Sequence, residues 1–122
     1  MPYQASILVA DDEESLRLVL QTALEKVGYT VDTADNGREA LRLTQERNYD
    51  VAILDIRMPE LNGLQAFHKI HALKPDLPVI LMTAFGSSEI AVEAMKRGAF
   101  DYIPKPFNLD EVKIIVTRAI HI

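Results

Sequence analysis

Polar side chains that could perform chemistry follow four short apolar segments of this 122-residue chain. Asp11 and Asp12 come after the segment 7–10, Asp55 after 51–54, Thr83 after 79–82 and Lys105 shortly after 100–103. Three carboxylates that lie close together repel one another and cannot all stay ionised without a cation. Carboxylate oxygens completed by water are ligands that suit Mg²⁺. We therefore expect a magnesium site where the fold brings these acids together.

The same side chains suit one reaction, the transfer of a phosphoryl group onto the protein itself. A carboxylate beside Mg²⁺ can attack phosphorus and form an aspartyl phosphate. The metal ion, a lysine such as Lys105 and a hydroxyl such as that of Thr83 would then neutralise the three phosphoryl oxygens. No general base is needed, because a carboxylate is already ionised near pH 7.

Each of these residues also has an ordinary structural explanation when it is taken alone. Asp11 and Asp12 could favour the N-terminus of a following helix through the helix dipole, and Asp55 could cap a loop. Thr83 could be a β-branched strand residue, and Lys105 could be a solvated loop lysine. Their shared position at the carboxyl ends of predicted strands favours the functional interpretation.

Short apolar segments alternate with longer amphipathic ones along the chain, which predicts strands alternating with helices. The second and fifth apolar segments carry polar positions, as is typical of edge strands. Gly28 ends the first helix, Asn36 opens the second, Ser87 or Ser88 caps the fourth and Asn108 caps the fifth. The apolar faces of the first, third and fourth helices include Val27, Leu73, Ile90 and Met95. The predicted strands are 7–10, 29–33, 51–54, 79–82 and 100–103.

Five repeats of strand and helix indicate an α/β domain with a parallel sheet, right-handed crossovers and helices on both faces. Five units are too few for an eight-stranded barrel. A doubly wound five-stranded sheet remains, with the strand order 2-1-3-4-5, and its ligands bind beyond the carboxyl ends of the strands. We expect residues 1–122 to form a single domain.

The composition limits what else the domain does. The chain has 18 acidic and 13 basic residues, a net charge of -5 and no cysteine. An acidic domain is not expected to bind DNA, RNA or an anionic membrane, and without cysteine it has no disulfide scaffold and no thiolate site. No apolar run approaches the ~20 residues of a membrane span, and the N-terminus has no signal-peptide features. We expect a cytoplasmic protein.

Taken together, these motifs resemble those of response-regulator receiver domains of two-component signalling, over essentially the whole chain. Each motif alone is weak, but the set in this order is highly specific. The resemblance implies the flavodoxin-like (βα)5 fold and the role of a signalling switch, which catalyses only its own phosphorylation and dephosphorylation. The motifs are ILVADDE at 7–13, DIRMPELNG at 55–63, MTA at 82–84 and KPF at 105–107.

The resemblance implies a role for each residue of the phosphoacceptor site. Asp55 would accept the phosphoryl group. Asp12 would bind Mg²⁺ directly, Asp11 would act largely through water, and the backbone carbonyl of Arg57 would be the remaining protein ligand. Lys105 would bind the phosphoryl oxygens, and the Lys105–Pro106 bond would be cis.

The resemblance also implies a two-state switch and a phosphate lifetime. Thr83 would hydrogen-bond the phosphate, and its movement would let Tyr102 rotate inward. Arg57 and Phe85 lie two positions after Asp55 and Thr83. Neither side chain is suited to orient an attacking water, so we expect slow autodephosphorylation.

The stretch 98–111 is most similar to the N-terminal receivers of nitrogen-regulator-type activators of sigma-54 polymerase. We therefore expect a receiver truncated from such a regulator, and the alternative is a stand-alone receiver. The expected partners are a sensor histidine kinase, which would dock on the first helix around Glu14, Ser15 and Leu18, and an effector domain or downstream protein that regulates transcription. The fourth helix, fifth strand and fifth helix would form the signalling face and a possible homodimer surface.

Ile114 marks this face on the fifth helix, and Ala91, Met95 and Arg97 add mixed character on the fourth. Exposed apolar residues of this kind are also common without any partner. The three histidines are expected to be surface residues that take no part in the chemistry. They are His68, His71 and His121.

Two other classes fit part of the pattern. A small flavin-binding electron carrier shares the topology, but the acidic segment 11–14 would repel the phosphate that such a loop must hold. An aspartate-nucleophile phosphatase also uses Mg²⁺ and an acyl phosphate. Those enzymes generally carry a second Asp two positions after the nucleophile, where this chain has Arg57.

Overall fold

Strands and helices alternate along the chain in the computed structural model, which describes residues 4–84 and 88–121. All strand pairs in the five-stranded sheet are parallel, and the strand order is 2-1-3-4-5, as predicted. The strand limits differ from the predicted ones by one residue, at one end of the first, third and fourth strands and at both ends of the second and fifth. The elements are β1 (Ser6–Ala10), α1 (Glu14–Val27), β2 (Thr30–Ala34), α2 (Gly37–Glu46), β3 (Val51–Asp55), α3 (Gly63–Leu73), β4 (Val79–Thr83), α4 (Ser88–Lys96), β5 (Asp101–Pro104) and α5 (Leu109–Ile120).

The burial of the strands follows their place in the sheet. Every residue of β3 and β4 is buried, and so is β1 after its first residue, because helices cover both faces of these central strands. The predicted edge strands β2 and β5 do lie at the two edges and keep half-exposed polar positions. The three central strands therefore form a rigid support for the residues that follow them.

Helices pack on the two faces of the sheet in two separate core clusters. One cluster lies under α2, α3 and α4, and the other lies under α1 and α5. Successive strand residues alternate between these clusters because side chains of a strand point to opposite faces. Leu54 and Leu81 belong to the first cluster, whereas Ile53 and Met82 belong to the second.

Asparagine side chains cap three of the helices. Asn36 accepts a hydrogen bond from the N–H of Glu39, and Asn108 accepts one from the N–H of Asp110. At α3, Asn62 and Gln65 form a reciprocal capping box, in which each side chain accepts from the other's backbone N–H. Gly28 ends α1 with a φ of 113°, as predicted. The cap predicted at Ser87 lies outside the described residues.

Several apolar helix residues that the sequence placed on inward faces are exposed. Val27 and Leu73 are the last residues of α1 and α3, and Leu73 is 56% exposed. Both residues continue the apolar face of their helix, but at the C-terminal end of the helix other segments leave them partly uncovered. On α4 the short side chain of Ala91 is buried, while Ile90 and Met95 are exposed.

No helix within residues 4–84 and 88–121 is both long enough and apolar enough to cross a lipid bilayer.

Candidate functional site

Three of the predicted site residues lie at the carboxyl edge of the sheet. Asp55 is the last residue of β3, and Thr83 is the last residue of β4. Ala10, at the end of β1, pairs with Leu54 of β3. Asp11 and Asp55 therefore follow neighbouring residues of two adjacent parallel strands, which brings their carboxylates together.

Three carboxylates form an acidic cluster at this edge. One oxygen each from Asp11, Asp12 and Asp55 lies within 4.8 Å of the other two. Asp11 and Asp55 are buried, while Asp12 is exposed to solvent. The cluster consists of hard oxygen ligands, and one side of it is open to solvent, as Mg²⁺ with its retained waters requires.

Lys105 joins two members of the acidic cluster. Its Nζ donates to Asp55 Oδ2 at 2.8 Å and to Asp11 Oδ2 at 3.2 Å. Burial alone would lower the pKa of Lys105, but its hydrogen bonds and charge interactions with Asp55 and Asp11 outweigh that effect and hold the pKa above its usual value. The ammonium is therefore charged at neutral pH.

Backbone N–H groups orient the two buried carboxylates. The N–H of Glu13 donates to Asp11 Oδ1 at 2.9 Å, and the N–H of Arg57 donates to Asp55 Oδ1 at 3.2 Å. Each buried carboxylate thus has one oxygen held by the backbone and the other held by Lys105. This leaves the carboxylates little rotational freedom before any ligand binds.

The charge of the cluster also fits a divalent cation. Three carboxylate groups lie beside a single ammonium, so their formal charge exceeds that of Lys105 by two, in a site where two of the acids are buried. A divalent ion with oxygen ligands would balance that charge, whereas a chain with no cysteine offers no thiolate for a softer metal. The residues present therefore fit a magnesium ion.

Thr83 and Tyr102 lie beside this cluster on one face of the sheet. Thr83 is buried, and its carbonyl accepts the backbone N–H of Lys105 at 2.7 Å. Tyr102 pairs with Leu81, two residues before Thr83, so both side chains point towards the α2, α3 and α4 face. Tyr102 is half-buried against that core cluster. Within the described residues, no hydrogen bond joins the side chain of Thr83 to that of Tyr102.

Two further predicted positions lie within the described residues. The Lys105–Pro106 bond is cis. The side chain of Arg57 is exposed, while its backbone N–H donates a hydrogen bond to Asp55 Oδ1. Phe85 lies outside the described residues. The histidines play no part in the cluster, although the Nδ1 atom of His71 is buried without a hydrogen-bond partner.

Two supporting residues were not identified from the sequence. Arg17 donates from Nη1 to the carbonyl of Asp11 at 2.8 Å, which fixes the loop that carries the acids. Gly63, the first residue of α3, packs directly against the backbone of Asp55. Arg17 lies one turn inside α1, six residues after Asp11. A cation at this spacing from the acidic pair was the sequence signal that could have identified its role. The role of Gly63 depends on a tertiary contact that spacing does not reveal.

Gly63→Ala is expected to destabilise the domain and to displace the end of β3. A Cβ there would collide with the carbonyl oxygen of Asp55 and lie 2.6 Å from Asp55 C and 2.8 Å from Ile56 Cα. Because these are backbone atoms of a buried strand, they cannot give way, and we expect a loss of about 1–3 kcal/mol in urea unfolding. Gly28→Asn is the control, because a Cβ at Gly28 has nothing within 4 Å and the change adds only the backbone strain of a φ of 113°, without a steric clash. An equal, small effect of both changes would contradict the close contact.

Comparisons with known proteins agree with this geometry. The family model of the response regulator receiver domain matches residues 7–117. The regulatory protein AtoC of Escherichia coli is 47% identical over 95% of this chain, and the regulator NtrC of the same organism is 46% identical over 93%. The chain spans 25% of the first of these relatives and 24% of the second.

Solved structures show the same fold. A receiver domain protein from Clostridium thermocellum has a TM-score of 0.91 and 37% identity, covering 96% of this chain and 94% of its own. NtrX from Brucella abortus has a TM-score of 0.91 and 35% identity, covering 98% of this chain and 27% of its own. With the matched family model and relatives well above 30% identity, the chain belongs to the response regulator receiver domains of two-component signalling.

Proposed function

We propose that this receiver domain accepts a phosphoryl group on Asp55 in the presence of Mg²⁺ and acts as a switch. The observation that carries the proposal is the meeting of Asp11, Asp12, Asp55 and Lys105 at one edge of the sheet. Asp11, Asp12 and Asp55, together with the backbone carbonyl of Arg57, would hold the metal ion. Bound there, Mg²⁺ supplies positive charge to the oxygens of the phosphoryl group.

Asp55, Lys105 and Thr83 each have a role in the transfer of the phosphoryl group. Asp55 is the nucleophile, because its carboxylate lies at the open edge of the sheet and its orientation is set by the Arg57 N–H and by Lys105. Lys105 transfers its hydrogen bonds from the carboxylates to the phosphoryl oxygens as charge spreads over them. The hydroxyl of Thr83 moves to donate a further hydrogen bond to the phosphoryl group. The movement of Thr83 biases Tyr102 towards an inward rotamer.

The domain is a switch and not an enzyme acting on other substrates. The chemistry it performs is its own phosphorylation and the later loss of that group to water. The exposed guanidinium of Arg57 has no lone pair with which to orient a water, so the phosphorylated form is expected to decay slowly.

The direct test is incubation of the protein with acetyl phosphate and Mg²⁺, followed by intact mass measurement. The proposal requires the addition of one phosphoryl group, and a chelator of Mg²⁺ must prevent the addition. A protein that gains no phosphoryl group from any donor is not a phosphoacceptor, and that result would overturn the proposal.

The relatives suggest the setting in which such a switch works. We propose a sensor histidine kinase as the natural donor, acting in the cytoplasm and docking on α1, where Glu14, Ser15 and Leu18 are exposed. Both relatives are regulatory proteins about four times as long as this chain, and NtrC is a DNA-binding transcriptional regulator. We therefore propose that residues 1–122 act as one receiver domain of a longer transcriptional regulator, whose DNA contacts lie outside this acidic domain.

The proposed output surface surrounds the exposed edge strand β5. Helices α4 and α5 lie on opposite faces of the sheet and flank that strand. Exposed apolar side chains on this surface are Ile90, Val92 and Met95 of α4 and Ile114 of α5. Ala91 was expected to belong to this surface, but it is buried under α4. We propose that phosphorylation strengthens a homodimer through this surface.

Beryllofluoride, which mimics a phosphoryl group on a carboxylate, is expected to shift the protein towards dimer in sedimentation velocity. Ile114→Lys should prevent the shift, because it replaces an apolar side chain of the proposed surface, 56% exposed on α5, with a charged one. Leu73→Lys is the matched control, since Leu73 is equally exposed but lies at the end of α3. A monomer with and without beryllofluoride at high concentration would count against the homodimer.

A further inference from the structure

A groove of about 420 Å³ opens beside Lys105, outside the acidic cluster. It lies between the N-terminal turn of α1 and the segment that joins β5 to α5. Its volume falls in the range of small-molecule sites, which is about 300–1,000 Å³. The residues that line it are Glu13, Leu16, Ala84, Lys105, Pro106 and Phe107.

The groove has an apolar wall and adjoins the acidic cluster through Lys105. Four of its lining residues are apolar, and Phe107 is held in place because it packs against the core cluster under α1 and α5. The two charged lining residues are Glu13 and Lys105, and the Nζ of Lys105 lies 2.8 Å from Asp55 Oδ2 in the adjoining acidic cluster. A ligand complementary to this arrangement carries a phosphoryl anion at one end and an apolar group at the other.

We propose that the groove binds the acyl group of small acyl phosphates and thereby selects among such donors. The inference rests on the proposed phosphorylation of Asp55 and specifies its substrate class. The Asp55 carboxylate attacks phosphorus, the bond between phosphorus and the acyl oxygen breaks, and the acyl group leaves as a carboxylate with the bonding electron pair. No proton is transferred. The acyl carbons lie along Leu16 and Phe107 while Lys105 holds the phosphoryl oxygens.

The proposal predicts that butyryl phosphate labels the protein faster than acetyl phosphate. The two donors release carboxylates of nearly equal basicity, so their intrinsic reactivity is matched and the difference reports on binding of the chain. Full burial of one methylene corresponds to about a fourfold change. For two methylenes in an open groove we expect a ratio of second-order rate constants of about threefold to tenfold, measured by intact mass with Mg²⁺ present.

A substitution in the groove should remove this preference. Leu16→Asn introduces a polar group into the apolar wall, and the ratio of butyryl to acetyl rate constants should fall to about one. Leu16→Ala shortens the wall without adding polarity and should give an intermediate ratio. This second variant keeps the test valid if Leu16→Asn does not fold. Val27→Asn is the matched control on the same helix, because Val27 is exposed at its other end and outside the groove. That variant should keep the wild-type ratio.

The outcomes separate this inference from the phosphorylation on which it rests. Phosphoramidate carries no acyl group and is used as a third donor on the wild-type protein. Labelling by none of the three donors would overturn the phosphoacceptor function itself. Labelling by all three, with equal rate constants for acetyl and butyryl phosphate or with a ratio that Leu16→Asn leaves unchanged, would overturn the groove alone.

Discussion

Asp55→Asn is expected to abolish phosphorylation of the domain by acetyl phosphate. The amide has nearly the size of the carboxylate but is not a nucleophile and cannot form an acyl phosphate. Asp55, like Asp11, is buried and held by Lys105 and by a backbone N–H, and it is the last residue of the central strand β3. Intact mass after incubation with acetyl phosphate and Mg²⁺ should show the wild-type addition and no addition to the variant.

Two further variants sharpen that result. Asp76→Asn removes an exposed carboxylate from the loop before β4, at the opposite edge of the sheet, and should label normally. Asp12→Asn keeps the nucleophile but loses one metal ligand, so its labelling should recover as the Mg²⁺ concentration rises. A phosphoryl group that still appears on Asp55→Asn would place the acceptor elsewhere and contradict the assignment.

Lys105→Met is expected to slow phosphorylation about 10²–10³-fold, the usual cost of losing one preorganised donor to a developing negative charge. It should also lower the stability of the metal-free protein. Asp11 and Asp55 are buried, and without Lys105 nothing neutralises them, although its side chain is 23% exposed and solvent already screens part of the interaction. We expect a loss of about 1–3 kcal/mol in urea unfolding, below the usual cost of breaking a fully buried pair.

Mg²⁺ distinguishes these two effects of Lys105→Met. A divalent cation in the acidic cluster replaces the lost positive charge, so added Mg²⁺ should raise the stability of the variant by more than it raises that of the wild type. It should not restore the phosphorylation rate, because the metal does not take the place of the ammonium on the phosphoryl group. Lys69→Met removes an exposed lysine from α3 and serves as the control. Equal stabilisation of the variant and the wild type by Mg²⁺ would contradict this account.

The sequence was sufficient for the fold because each element carries its own local signal. The central strands are unbroken apolar segments, and the edge strands show polar positions. Gly28, Asn36 and Asn108 mark helix ends through backbone chemistry that acts within a few residues. Parallel topology then places the acids and Lys105 at one edge, which is why the acidic cluster could be predicted without coordinates.

What the sequence could not supply depends on contacts between distant segments. Val27 and Leu73 are exposed although they continue the apolar faces of α1 and α3, because a helical wheel gives the direction of a side chain and not whether another segment covers it. The burial of Ala91 in place of its larger neighbours depends on how closely α4 approaches the sheet. The requirement for glycine at position 63 arises from the backbone of Asp55, eight residues earlier in the chain.

The acidic cluster is assembled from residues that leave the ribosome at different times. Lys105 follows Asp11 by 94 residues and Asp55 by 50. Because a chain emerges from its N-terminus, the three carboxylates are synthesised, and β1, β2 and β3 can pair, before the lysine exists. During that interval the charge of the nascent cluster must be balanced by ions from solution. The lysine that holds the finished site together is thus the last part of the cluster to be made, and its arrival coincides with the completion of the sheet by β5.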